Sequence, residues 1–458
     1  MTTELLDSLR DIVGATNVMP GDEVPESSWD THQPFRGSAL VSPVSSEQVS
    51  AVLALCNENR QVVVPIGGLT GLVQGCATSA GDIGLSLAKM NQIENLDPIA
   101  QTLTVQAGVT LRQAQIAADE AGLYFPLNIG ARDDCMLGGN VSTNAGGTKV
   151  IRYGMTRDFV LGLEAVLADG TVISSMNRFI KNNSGFDLKH MFIGTEGTLG
   201  VITRIVFRLA VKPSSHNVAL LACESYEDIV QVLKQSRELI GSNLTGFEVM
   251  WNSFYSRATQ PLGPQPSALP VDLPFYAIVE AMGAQPSHDD DVFVEAMESM
   301  FATDRVIDGV LAKSDQERNA IWAIRDEVEW IVSSCINFDV SLPIAVVEEY
   351  VETVSAAIAA DVPESTVVAF GHLGDNNLHL SVLVEERTGA LVALIEKHVY
   401  QALVPYDGAI SAEHGIGMEK REHLSISRNR EEIELMKTLK RTLDPNNILN
   451  PGKVIDLG

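Results

Sequence analysis

Apolar positions recur at alternating helical and strand spacings along the first 210 residues. Residues 1–14 are acidic and amphipathic. Ser45 and Gln48 form a capping box ahead of Val49, Val52, Leu53 and Cys56, which predicts a helix. QVVVPIGG (61–68) then reads as a short buried strand entering a glycine turn. A helix at about 111–121 is expected from the Thr110/Gln113 capping box and a stop at Gly122. VLGLEAVLADGTVI (160–173) predicts a hairpin turning at Asp169-Gly170. In 201–209, Val201, Thr203, Ile205, Phe207 and Leu209 alternate with Arg204 and Arg208, the pattern of a half-buried strand.

After Lys212-Pro213 the texture changes. Prolines 261, 264, 266, 270 and 274 predict a loop over 261–274. FYAIVEAM (275–282) follows as a strand, with amphipathic helices near 289–302 and 313–334. A helix at about 430–442 is acidic at its start and basic at its end, as the helix dipole favours. The expected division is 1–213, 214–405 and a C-terminal segment 406–458, all α+β and without internal repeats.

Composition narrows the function. Lys plus Arg total 32 against 59 for Asp plus Glu, a net charge of −27, which disfavours nucleic acid and anionic membranes as partners. No run approaches the length of a membrane span, and the amino terminus has no signal core. The five cysteines are scattered, with no CxxC, which reads as reduced thiols and a cytoplasmic location.

Three glycine-rich segments carry the first candidate chemistry. PIGGLTGLVQG (65–75) follows a strand, GARDDCMLGGNVSTNAGGTKVIRYG (130–154) is a long donor-rich loop, and GTEGTLGVIT (194–203) precedes the alternating strand. Glycines let backbone N–H groups converge on an anion such as a pyrophosphate, and Thr70 adds a hydroxyl. No GxGxxG opens a helix and no GxxxxGK[ST] occurs, so neither a Rossmann site nor a P-loop is supported.

The second candidate lies in two histidine strings. In GHLGDNNLHLS (371–381), His372 and His379 stand seven apart, and the turn chemistry of GDNN lets the chain reverse and bring both imidazoles to one point. Ser381 would share the face of His379. SAEHGIG (411–417) adds Glu413 and His414. Two imidazoles and a carboxylate leave coordination positions open, as catalytic metals require, and His414 remains to act as a base.

In order and spacing, the glycine segments resemble the FAD-binding domain of the vanillyl-alcohol oxidase/p-cresol methylhydroxylase superfamily. The resemblance runs from about residue 35 to the end, and within the superfamily the chain resembles the D-2-hydroxyglutarate dehydrogenase, D-lactate dehydrogenase and glycolate oxidase flavin-subunit branch. It implies an α+β fold with a two-subdomain FAD domain, a substrate cap domain and a C-terminal segment returning to the flavin. The implied FAD contacts are Pro65, Gly67, Gly68, Leu69, Thr70, Gly71, Gly75, Pro126, Gly130, Gly138, Gly139, Asn140, Thr143, Asn144, Gly146, Gly147, Tyr153, Gly154, Glu196, Gly197, Gly200, Val201, Ile202 and Asn450. Position 66 is Ile and no His lies between 33 and 189, which favours non-covalent FAD. The resemblance further implies that His372, His379 and Glu413 bind a divalent metal, usually zinc, and that His414 is the general base. The metal would lower the pKa of a 2-hydroxy acid's hydroxyl, His414 would take its proton, and a hydride would pass to flavin N5.

Substrate selection is expected on helix 313–334, where the arginine of WxxR, here Arg325, would grip the carboxylate. Where the hydroxyglutarate enzymes carry a threonine, a lysine and an asparagine, this chain carries Glu329, Asn337 and Ser381. Losing a cation and gaining an anion disfavours a second substrate carboxylate, so a monocarboxylate or polyhydroxylated 2-hydroxy acid, of D configuration by resemblance, is expected in place of 2-hydroxyglutarate. An unidentified electron acceptor is required, and a homodimer is compatible with the resemblance. Two alternatives on the same fold remain: a flavin alcohol oxidase, and a flavin-binding electron-transfer subunit.

Overall fold

The computed structural model describes residues 2–26, 34–262 and 269–458. The chain divides into two units: residues 1–146, 155–211 and 413–458 form one, and residues 147–154 and 212–412 form the other. This division moves the expected C-terminal boundary from 406 to Glu413. It also assigns 147–154, in the middle of the second glycine segment, to the second unit.

The first unit is built on two larger sheets, with a two-stranded one formed by Leu123–Tyr124 and Ala210–Val211. In the four-stranded sheet, Ile83–Ser86 runs parallel to both Ala39–Val41 and Val63–Ile66, and Val18–Pro20 adds an antiparallel edge. Parallel strands need a crossover, and between Ala39–Val41 and Val63–Ile66, which flank Ile83–Ser86, the helix Ser46–Glu58 supplies it, starting from Ser45, whose side chain accepts from the Gln48 amide. The five-stranded sheet is antiparallel, in the order Ile93–Asp97, Thr102–Gln106, Val201–Arg208, Val160–Val166 and Val172–Ser175. The hairpin turns at Gly170, with φ of 87°, as its sequence predicts. Val201–Arg208 lies more deeply than its alternation suggests, because it is the middle strand: Ile202 and Val206, on the face that carries Arg204, are buried too. The helix Leu111–Glu120 carries the expected Thr110/Gln113 capping box.

The C-terminal segment 413–458 returns to this unit. Its helix Arg430–Leu443 ends on the buried pair Lys440–Asp444, and Lys440 Nζ also donates to the carbonyls of Thr198 and Leu449 at 2.9 and 2.6 Å. The chain then runs beside the strand Val63–Ile66, where Val63 N donates to Ile448 O at 2.8 Å and Asn450 N donates to Val63 O at 2.9 Å.

The second unit is organised on a seven-stranded antiparallel sheet. Its order is Asp308–Leu311, Ser215–Cys223, Phe275–Gly283, Leu244–Trp251, Thr366–Gly371, Asn377–Leu383 and Cys335–Ser341. Residues 147–154 belong here through Lys149, which pairs with buried Glu280, and Arg152, whose Nη1 donates to Met282 O. Two expectations are corrected. The helix predicted over 313–334 is two helices, Asp315–Asp326 and Glu329–Ser334, broken where Glu327 leaves helical geometry at ψ 73°. The proline loop begins later than expected: the helix Asn252–Leu262 runs through Pro261, tolerated although it falls in the last turn. Pro264 and Pro266 lie outside the described residues.

Candidate active site

In the first unit the three glycine segments are close neighbours in space. A Cβ on Gly68 would meet Asp134 O at 2.0 Å, and one on Gly138 would meet the Ala107 Cβ at 2.6 Å, so these glycines permit backbone to pack closely. At Gly71, Gly130 and Gly139 a Cβ would meet nothing within 4 Å; these glycines face open space. Backbone strain gathers in the same loops: Leu69, Gln74, Asn144, Glu196 and Asn450 all have φ between 44° and 59°.

Among the described residues, the buried Oδ1 atoms of Asn140 and Asn450 are among those that find no partner, which is costly unless a ligand supplies a donor. Open glycine faces, strained loops and orphaned amide oxygens together fit an FAD cradle. Asn450 Nδ2 donates to Gly75 O at 3.0 Å and to Glu196 O at 2.8 Å, tying the tail to the first and third segments. Pro65, Gly67, Thr70, Pro126, Thr143, Gly146, Gly197, Gly200, Val201 and Ile202 all fall in this unit; Gly147, Tyr153 and Gly154 group with the other.

Glu196 ties the third glycine segment to the C-terminal segment. Its carboxylate accepts from Ile416 N at 2.7 Å and Gly417 N at 2.9 Å, fixing the turn that follows Glu413 and His414. Burial pushes its pKa up, against the opposing pull of those amides and of Lys420. Within the same unit, Glu413 Oε1 lies 3.1 Å from the position of a Cβ on Gly146, so the Glu-His string stands against the second glycine segment.

In the second unit the GDNN turn reverses the chain as expected. Thr366–Gly371 and Asn377–Leu383 pair as a hairpin whose turn includes Asn376 in the left-handed region, φ 72°. The rings of His372 and His379 meet edge to face with centroids 5.1 Å apart, and their nitrogens come within 4.8 Å of each other. Ser381 is buried on this strand, opposite Asn337 in register. Asn337 is exposed, its Nδ2 donating to Ile331 O at 3.2 Å, and Glu329 is exposed in the short second helix.

Arg325 turns inward with 7% exposure. Its Nε donates to Glu248 Oε2 at 2.8 Å, and the other Glu248 oxygen lies 2.7 Å from His372 Nδ1. Burial pushes the Glu248 pKa up, but His372 and Arg325 outweigh it and hold the carboxyl below its ordinary value. A carboxylate only accepts, so Nδ1 carries the imidazole proton in this contact.

Asp339, fully buried, lies 3.9 Å from His379 Nδ1 and accepts from Asn377 Nδ2 at 2.5 Å, Ser411 Oγ at 3.3 Å and Ala412 N at 3.0 Å. It fixes the main chain one residue before Glu413. Motif reasoning does not single out Glu248 or Asp339. The available signal is a lone acid inside an apolar strand, as in GFEVMW and NFDVS.

Comparison with known proteins agrees with this geometry. Residues 37–175 match the family described as "FAD binding domain", and residues 212–454 match "FAD linked oxidases, C-terminal domain". The chain is 35% identical to D-2-hydroxyglutarate dehydrogenase, mitochondrial, of Danio rerio, over 99% of this chain and 86% of that protein. It is 33% identical to D-2-hydroxyglutarate dehydrogenase of Stutzerimonas stutzeri (strain A1501), over 98% of each. Its fold is that of p-cresol methylhydroxylase solved with substrate bound: TM-score 0.79 at 19% identity, over 99% of this chain and 97% of that one.

Proposed function

The chain belongs to the FAD-linked oxidase family, and from that premise we propose that it is an FAD-dependent dehydrogenase of a small 2-hydroxy acid, with the flavin held non-covalently in the glycine cradle. The observation that carries the proposal is the buried arrangement in which one carboxylate, Glu248, holds both a guanidinium and an imidazole. Arg325 grips the substrate carboxylate through its Nη groups, because Nε is committed to Glu248. His372, His379 and Glu413 are the residues that would hold a divalent cation such as zinc. Supporting this are the convergence of the two imidazoles and the anchoring of Ala412, the neighbour of Glu413, on Asp339. When bound, FAD supplies a two-electron acceptor and the cation supplies Lewis acidity toward the hydroxyl. His414, as neutral imidazole, takes the hydroxyl proton.

Within this class we place the substrate among monocarboxylate or polyhydroxylated D-2-hydroxy acids. The relatives act, by name, on D-2-hydroxyglutarate, but position 337 here is a neutral amide engaged with Ile331 O and position 329 is an exposed anion. Neither offers a cation to a second carboxylate. An electron acceptor outside the chain reoxidises the flavin, and a reducing compartment such as the cytoplasm suits the five free cysteines. The test is anaerobic bleaching of the flavin by a panel of D- and L-2-hydroxy acids, with and without a chelator. Chelator-sensitive bleaching by lactate, glycolate or a sugar acid is expected. A kcat/KM for D-2-hydroxyglutarate well above all of these would overturn the substrate assignment.

A further inference from the structure

We propose that Glu248 is a positioning residue that sets the spacing between the carboxylate anchor and the histidine end of the site, and thereby selects 2-hydroxy over 3-hydroxy acids. The proposal rests on the 2-hydroxy-acid reading and gives a selectivity role to the carboxylate that carries it.

Glu248 lies in the strand Leu244–Trp251, the middle of seven, with hydrogen-bonded neighbours on both sides and 1% exposure. Val249 is the register partner of Gly371, which brings Glu248 level with His372. The strand ladder thus fixes the carboxylate before any side chain adjusts. Each oxygen then serves one partner. Oε2 accepts from Arg325 at 2.8 Å, and Oε1 meets His372 Nδ1 at 2.7 Å. The guanidinium is further held over the Phe370 ring, 4.6 Å from its centroid, and the same ring lies 5.0 Å from that of His379. Arg325 and His372 are therefore separated by the width of a single carboxyl group, over an aromatic floor that also touches His379.

A 2-hydroxy acid carries its hydroxyl on the carbon bonded directly to the carboxylate. A 3-hydroxy acid inserts one more carbon, about 1.5 Å of extra reach. A site whose anchor and histidine end are locked together cannot absorb that step. A misplacement of this size costs on the order of 100-fold in rate. If Glu248 only filled a buried slot, its replacement would alter stability and leave this selectivity untouched.

The test uses the full-length, flavin-loaded protein and its Glu248→Gln and Glu248→Asp variants. Gln keeps the volume, but its single acceptor oxygen serves only one of the two partners. Asp keeps the charge but is one methylene shorter. In both variants flavin content is expected to stay at the wild-type level. The ratio of kcat/KM for lactate over 3-hydroxypropionate should fall at least about 10-fold, and zinc affinity, titrated by metal content at buffered free zinc, should weaken about 10- to 100-fold. A selectivity ratio within twofold of wild type in Glu248→Asp would overturn the proposal, whatever the zinc affinity and whether or not Glu248→Gln folds. Failure of the parent reading looks different: the wild-type flavin would not bleach with any 2-hydroxy acid, while the zinc titration would still report on Glu248.

Discussion

The two units supply polarity in different ways. In the unit with the glycine segments, the polar groups come mostly from the main chain: open faces at Gly71 and Gly139, left-handed backbone at Leu69 and Asn144, and tail contacts through Asn450. In the other unit they come from charged side chains sunk into a sheet: Glu248 with Arg325 and His372, Asp339 with Asn377, Glu280 with Lys149. The first arrangement suits a large anionic cofactor that needs many donors and little net charge. The second suits a small charged substrate that must be gripped at few points. The comparison shows why one fold can keep a constant cofactor and vary its substrate: a backbone cradle tolerates side-chain change, whereas a buried ion network is redefined by one replacement.

The largest expected effect comes from removing the one group assigned to proton transfer. His414→Ala should retain flavin, judged by its visible absorbance after gel filtration, and lose turnover by roughly 10²–10⁴-fold. Near-normal turnover would remove His414 from the chemistry and leave the contrast between the units purely structural.

A pair of glycine variants sharpens the cradle side. Gly68→Ala must displace the Asp134 carbonyl, 2.0 Å from the new methyl, and should yield little folded protein. Gly71→Ala meets nothing within 4 Å, so it should fold normally and retain flavin about 10-fold more weakly. Unchanged flavin affinity in Gly71→Ala would show that the open face is not the cofactor's.

The smallest effect lies in the buried ion network. Burial raises the Glu280 pKa, but Lys149 and His216 overcome it and bring the carboxyl down to about 2 from an ordinary 4.5. A pKa depressed on folding stabilises the protein above the unfolded value, and that stability is lost as pH falls from 4.5 toward 2. Roughly 3 kcal/mol is at stake. Thermal melts between pH 6 and pH 3 should therefore decline for the wild type and decline less for Glu280→Gln, which starts several degrees lower because Lys149 loses its partner. Parallel curves would mean that other carboxyls carry the acid limb.

The two sides differ in how readable they are. Glycine spacing announces the cradle because only glycine allows such close backbone approach, and GDNN announces the hairpin because its residues favour a turn. Arg325 stands out through its WxxR setting, yet its true partner is 77 positions earlier in the chain. Local periodicity has no means of pairing such residues. Glu248 and Asp339 each interrupt an apolar strand, a visible anomaly without an address. The break at Glu327 is hidden because apolar spacing continues across it: Val328 and Ile331 keep the helical rhythm of Ile321 and Ile324.

The placement of residues 147–154 bears on how such proteins can be recombined. A chimaera that takes only 212–412 from a relative would leave Lys149 and Arg152 behind, facing foreign counterparts of Glu280 and Met282. The transplantable block is discontinuous. A graft meant to exchange the second unit has to carry 147–154 along with the larger segment, or the buried ammonium of the recipient's Lys149 meets whatever the donor carries in place of Glu280.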